Sequence, residues 1–209
     1  MIKKALIIDL DNTIFPVPQI GDALFAPLFE LIEQEGSHAG ELDKIKDEVM
    51  RRPFQQVAKE HQFSESLTRK CVEVLKELTY NGPIEPFEDF ALVRHLPCDK
   101  FLVTTGFPKM QQSKVDRLAL APDFKEIHII DPSTTNKVKK DVFADIVQRH
   151  GYAKEAVLVI GDDLQSEIKA AQELGIDAVW YDKYGRYEDK PSVRKISDYK
   201  ELIQILTSL

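Results

Sequence analysis

Five short apolar runs punctuate this chain, and each stops abruptly at a polar or acidic turn: Ala5 to Ile8, Phe101 to Val103, Glu126 to Ile130, Ala156 to Ile160 and Ala178 to Tyr181. Runs so short and so apolar predict strands buried on both faces, as in a parallel sheet. Helix-length segments separate the last four. They are Lys109 to Leu118, Lys139 to Arg149 with Gly151 as its stop, and Gln165 to Leu174 with Gly175 as its stop. Strand alternating with helix predicts an α/β fold, a Rossmann-like parallel sheet with helices on both faces. A last helix is expected from Ser197, as N-cap, to Leu209.

The interval between the first two runs breaks this rhythm. Leu24, Phe25, Leu28, Phe29, Leu31 and Ile32 form one helical stripe. Leu42, Ile45 and Val49 form a second, ended by Pro53 at Arg52 or earlier. Leu67, Cys71, Val74, Leu75 and Leu78 form a third, stopped near Asn81-Gly82-Pro83. The expected organisation is an α/β core made of residues 1–15 and 84–209. A small all-helical cap, residues 16–83, is inserted after the first strand.

Composition narrows the function classes. The 209 residues carry 28 Lys and Arg against 35 Asp and Glu, a net charge of −7. An acidic chain is repelled by nucleic acid and by anionic membranes, so neither is expected as a partner. Two cysteines, Cys71 and Cys98, are too few for a disulfide scaffold or a cysteine zinc site. The apolar run after Lys3-Lys4 stops at Asp9, short of an export signal, and no run nears a membrane span. A cytoplasmic location is expected. Five scattered histidines show no metal-ligand spacing.

Ligands of open parallel sheets bind beyond the carboxyl ends of the strands. Asp9-Leu10-Asp11-Asn12-Thr13 follows the first run, Thr104-Thr105-Gly106 the second, and Gly161-Asp162-Asp163 the fourth. Lys137, Lys139 and Lys140 open the helix after the third. Carboxylates converging at one edge repel one another unless a cation joins them. All-oxygen donors suit Mg²⁺. Hydroxyl, amide and ammonium donors beside a metal suit a phosphate.

These four groups, in this order, resemble the signatures of the haloacid-dehalogenase-like hydrolase superfamily. The resemblance covers the sheet segments, and the helical insert stands where that family carries a helical cap. It implies an Mg²⁺-dependent phosphatase acting on a small phosphorylated metabolite through an aspartyl-phosphate. By that resemblance Asp9 is the nucleophile and Asp11 the general acid–base. Asp9, Asp162 and the Asp11 backbone carbonyl hold the metal. Thr104, the following backbone amides of Thr105 and Gly106, and Lys137 hold the phosphoryl oxygens. Lys137 matches the family spacing to Gly161-Asp162, with Lys139 and Lys140 close by. Glu167 stands where many members have Asp, and Asp163 where many have Ser. Both are expected behind the metal or linked to it through water. Asp11 favours phosphate esters over organohalides, since an alkoxide needs a proton to leave and a halide does not.

The alternatives are a phosphomutase on the same scaffold and a non-catalytic phosphate-binding relative. Response-regulator receivers use similar residue types with the acidic pair first and the accepting Asp later, which is the reverse of this order. Arg51 and Arg52 are expected to face solvent, Trp180 to lie in the core or at its rim, and Phe15, Pro16 and Phe107 to line the pocket mouth.

Overall fold

A computed structural model describes residues 3–188 and 192–207. The chain enters on β1 (Ala5–Ile8), which is buried throughout. It then leaves the sheet for four helices, α1 (Gly21–Glu35), α2 (Leu42–Val49), α3 (Phe54–Glu60) and α4 (Glu65–Glu77). A short α5 (Ala91–Arg94) leads back to β2 (Asp99–Thr105). From there strand and helix alternate: α6 (Pro108–Arg117), β3 (Glu126–Ile130), α7 (Lys139–His150), β4 (Val157–Gly161), α8 (Lys169–Leu174) and β5 (Asp177–Tyr181). A short β6 (Arg194–Ile196) and α9 (Tyr199–Thr207) complete the described chain.

All six strands are parallel, in the order β3-β2-β1-β4-β5-β6. β1 lies between β2 and β4, where the strand order reverses, and a crevice opens at that point. The two-residue period of the strands divides the core. Leu6, Ile8, Leu102, Leu158 and Ile160 face one side, packed with Met110 and Val115 of α6 and Leu202 of α9. Ala5, Ile7, Phe101, Val103, Val157 and Val159 face the other, against Phe143 and Ile146 of α7 and Ala170 and Ala171 of α8. Gly151 and Gly175 end α7 and α8 with positive φ values of 65° and 70°, a backbone state open to glycine at no steric cost.

The insert has one helix more than its three stripes predict. α3 spans seven residues between Pro53 and the next N-cap, Ser64, whose side chain accepts from Leu67 N at 3.1 Å. Leu28 and Ile32 of α1, Ile45 of α2, Val57 of α3 and Cys71 of α4 are fully buried, continuous with the first sheet face. The cap thus shares its apolar core with the sheet.

His61, just after α3, links the cap helices by charge. Nδ1 meets Glu41 Oε2 and Nε2 meets Glu48 Oε2, both at 2.9 Å. The Glu41 bond first, then Glu48, raises the imidazole pKa above its ordinary value. A group whose pKa rises on folding stabilises fully below its unfolded pKa, about 6.5. That contribution disappears as pH rises through the folded value. We expect His61→Gln to lower Tm by about 2–4 °C at pH 6, equivalent to ~1 kcal/mol. The difference should close well above the folded pKa. Thermal melts of both proteins across that range check it, and a pH-independent difference contradicts the ion-pair account.

Three sequence expectations about the fold are corrected. β6 is a strand with a single buried residue, Ile196, and its Arg-Lys-Ile sequence gave no apolar run. α9 starts at Tyr199, and Ser197 does not cap it. Ser197 N and Oγ donate to Glu201 Oε1, while Asp198 Oδ1 accepts from Lys200 N at 2.8 Å. The segment predicted as helix from Gln165 opens with a wide π-helical turn, Leu164–Ile168, before α8. The predicted end of the last helix, Leu209, lies outside the described residues. Trp180 is fully buried.

Candidate active site

β1, β2 and β4 are neighbours, so the residues following them share one edge. The register aligns Ile8 with Leu102 on one side and Ile160 on the other. Asp9, directly after β1, donates its amide to Ile160 O at 3.0 Å and is 5% exposed. Thr104 is buried near the end of β2, and Asp162 follows β4. Together with Asp11 they line a cavity of about 680 Å³. Its cap-side wall includes Phe25, Met50 and Phe54, and Phe107 contributes from the core. Arg51 and Arg52 stand at this cavity, but their charges meet Asp47, Glu48 and Glu60 of the cap itself.

One lysine organises the buried carboxylates, and it is Lys139. Lys137 is exposed along the cavity, with its amide bonded to Thr135 Oγ1 at 3.1 Å. Lys139, in the first turn of α7, is 6% exposed and bonds both Asp9 Oδ1 and Glu167 Oε1 through its ammonium. The two-residue offset carries the chain from an extended approach into the helix, which turns Lys139 inward. Burial alone would lower the Lys139 pKa, but Asp9 and Glu167 outweigh it and hold the ammonium charged.

The acidic groups are strained against one another. Burial is the main influence that raises the Asp9 carboxyl to about 7; Lys139 opposes it, and Glu167 and Asp11 add to it. Burial, then Glu167 and Asp9, push Asp162 well above the usual carboxylate range. Asp163 rises too, chiefly by burial. Its carboxylate caps the π-helical turn, accepting from Gln165 N at 2.7 Å. Glu167, brought back over the strand end by that turn, accepts from Asp163 N at 3.1 Å. Gly161 is required beneath it, because a Cβ there would stand 2.5 Å from Glu167 Cγ. On the far side of the loop, Trp180 Nε1 donates to Asp162 O at 2.9 Å.

Asp11 meets two residues that the sequence reading passed over. Lys114 Nζ lies 2.8 and 3.1 Å from its two carboxylate oxygens, and Gln111 Nε2 lies 2.9 Å from Oδ2. Both are buried on α6. The signal was available: Met110, Gln111, Lys114, Val115 and Leu118 are spaced as one buried stripe, and polar residues on such a stripe need partners. Thr105 lines the cavity at the end of β2. The Gly106 amide, expected among the phosphate donors, donates instead to Ile130 O at 3.0 Å, extending the ladder to β3.

A parallel sheet whose central strand ends in Asp-x-Asp, flanked by a strand-end threonine and a glycine-linked acidic loop, defines a class of hydrolase. The haloacid dehalogenase-like hydrolase family model matches residues 3–175, and the chain belongs to this family. It is 26% identical over 111 residues to the pyrimidine 5'-nucleotidase PynA of Streptococcus pneumoniae, covering 52% of this chain and 47% of that one. It is 31% identical over 111 residues to a glyceraldehyde 3-phosphate phosphatase of Pyrococcus furiosus, covering 52% and 46%. The matches thus span about half the length of these two relatives. The HAD-hydrolase YfnB of Bacillus subtilis is 26% identical over 92% of this chain and 88% of its own. The magnesium-bound crystal structure of YfnB superposes with a TM-score of 0.62 at 22% identity, covering 99% of both chains, so the fold is shared throughout. The chain thus belongs to a hydrolase family with relatives named as phosphatases, and among its described residues no helix is long and apolar enough to cross a membrane.

Proposed function

We propose that this hydrolase is an Mg²⁺-dependent phosphomonoesterase acting on a small phosphorylated metabolite. The observation that carries this reading is the meeting, at the ends of three adjacent strands, of Asp9, Asp11, Thr104 and Asp162, with the Lys139 ammonium on Asp9.

The donor set fits Mg²⁺. Asp9 and Glu167 bind the Lys139 ammonium, Asp162 lines the same cavity, and neither histidine nor cysteine does. Among the described residues no three Asp, Glu, His or Cys side chains form a ready-made metal cluster. The proposed set needs only two, Asp9 and Asp162, with the Asp11 carbonyl completing the protein's share. Bound there, Mg²⁺ supplies charge neutralisation for the phosphoryl oxygens.

In this reading an Asp9 oxygen attacks phosphorus and forms an aspartyl-phosphate as the ester bond breaks. Asp11 gives a proton to the departing alkoxide, then takes one from the water that hydrolyses the intermediate. Thr104 and Lys139 hold and neutralise phosphoryl oxygens, and positioning of this kind dominates phosphoryl transfer. Lys139 thus takes the role expected of Lys137. The cap wall limits bulk water and sets which alcohol fits.

The test is phosphate release from a panel of sugar phosphates, triose phosphates, nucleoside monophosphates and one aryl phosphate, with Mg²⁺ and with chelator. We expect release that falls to background with chelator and returns with added Mg²⁺. A folded protein that releases no phosphate from any of them sinks the reading.

A further inference from the structure

Four polar groups in the site form a chain whose donor directions are dictated at one end. The Lys114 ammonium carries three protons and no lone pair, so it can only donate. It lies 2.7 Å from the Gln111 oxygen. That contact settles which end of the Gln111 amide faces which neighbour, an orientation otherwise interchangeable. The NH₂ end then points at Thr104 Oγ1, at 2.6 Å, and at Asp11 Oδ2, at 2.9 Å. Thr104 Oγ1 is thus an acceptor in this contact, and its single proton is left to point elsewhere.

We propose that Gln111 and Lys114 are positioning residues that aim the Thr104 hydroxyl proton at the substrate phosphoryl group. This rests on Thr104 being a phosphate ligand, as in the function proposed above. Lys114 orients Gln111, Gln111 occupies one acceptor position of Thr104 and so keeps the hydroxyl proton off that side, and Thr104 donates into the cavity. The same two residues hold the Asp11 carboxylate, so the phosphate ligand and the acid–base are fastened to one helix. Two further observations support a built network. Gln111 is fully buried and Lys114 is 1% exposed, yet every contact named here is polar. Gly106 also leaves room for the arrangement, since a Cβ there would stand 2.8 Å from Gln111 Cγ.

The test reverses the donor. Gln111→Glu keeps the shape and, when ionised, presents only acceptors to Thr104, which would then turn its proton away from the phosphate. Inhibition by inorganic phosphate should weaken by about 10- to 100-fold, the range for a lost hydrogen bond to a charged group. Substrate KM should rise with it. Gln111→Met leaves the hydroxyl free to rotate, so its effect should be smaller than that of Glu. In a Thr104→Val background, Gln111→Glu should not weaken phosphate inhibition further. Lys114→Arg, still donor-only, should retain tighter phosphate inhibition than Lys114→Gln, which can accept as well as donate. Thermal melts confirm folding of each variant, and Gln111→Met carries the test if the Glu variant does not fold. Equal phosphate inhibition in wild type and Gln111 variants overturns the proposal, as do additive effects of the Thr104 and Gln111 substitutions. An inactive wild type would instead overturn the phosphatase reading.

Discussion

Asp9→Asn should lower the rate of phosphate release by about 10⁴-fold or more, the scale of losing a covalent nucleophile. An amide oxygen is a far weaker nucleophile than a carboxylate, and no neighbour replaces it. Asp11 is held by Lys114 and Gln111, and Glu167 is bound to Lys139 and Asp163 N. The fold should survive, because Asn matches the volume of Asp and Lys139 keeps Glu167 as a partner. Burst-phase and steady-state phosphate release from the best panel substrate measure the effect. A variant within tenfold of wild type would falsify the assignment of Asp9 and redirect attention to Asp11 or Asp162.

Lys139→Met should cost both stability and activity. It leaves Asp9 and Glu167 buried beside Asp162 without the ammonium that now separates them. Breaking a buried ion pair by removing one partner costs about 3–5 kcal/mol. For a chain of this size that is a Tm loss of about 10 °C. Added Mg²⁺ should recover part of it, since the cation restores charge balance among the same carboxylates. Activity should fall by about 10²–10³-fold, as for loss of an electrostatic stabiliser. Lys137→Met is the control. Exposed and without a carboxylate partner among the described residues, Lys137 should move stability by no more than about 0.5 kcal/mol. Melts with and without Mg²⁺, alongside turnover, separate the two lysines. If Lys137→Met loses activity and Lys139→Met does not, the roles are reversed.

The order of sheet and helix was legible because buried parallel strands announce themselves as short apolar runs. The positions of Asp9, Asp11, Thr104 and Asp162 followed, since each stands at or just beyond a strand end, where the fold places its crevice. What escaped depended on direction. Lys137 and Lys139 are equally basic and two residues apart, and only the helix start decides which turns inward. Gln111 and Lys114 looked like ordinary polar residues of a helix, although their place on the buried stripe marked them. α3 and β6 are short, seven and three residues, and leave too little periodicity to read. Arg51 and Arg52 line the cavity, but a single sequence does not show that Asp47, Glu48 and Glu60 already balance them.

Trp180 is the only tryptophan in the 209 residues, and its indole N–H bonds the backbone of Asp162. The protein's intrinsic tryptophan fluorescence therefore originates one hydrogen bond behind the proposed metal carboxylate. A label-free titration with Mg²⁺, followed by emission alone, reads the state of that loop from a single emitter, in the same cuvette as the turnover assay.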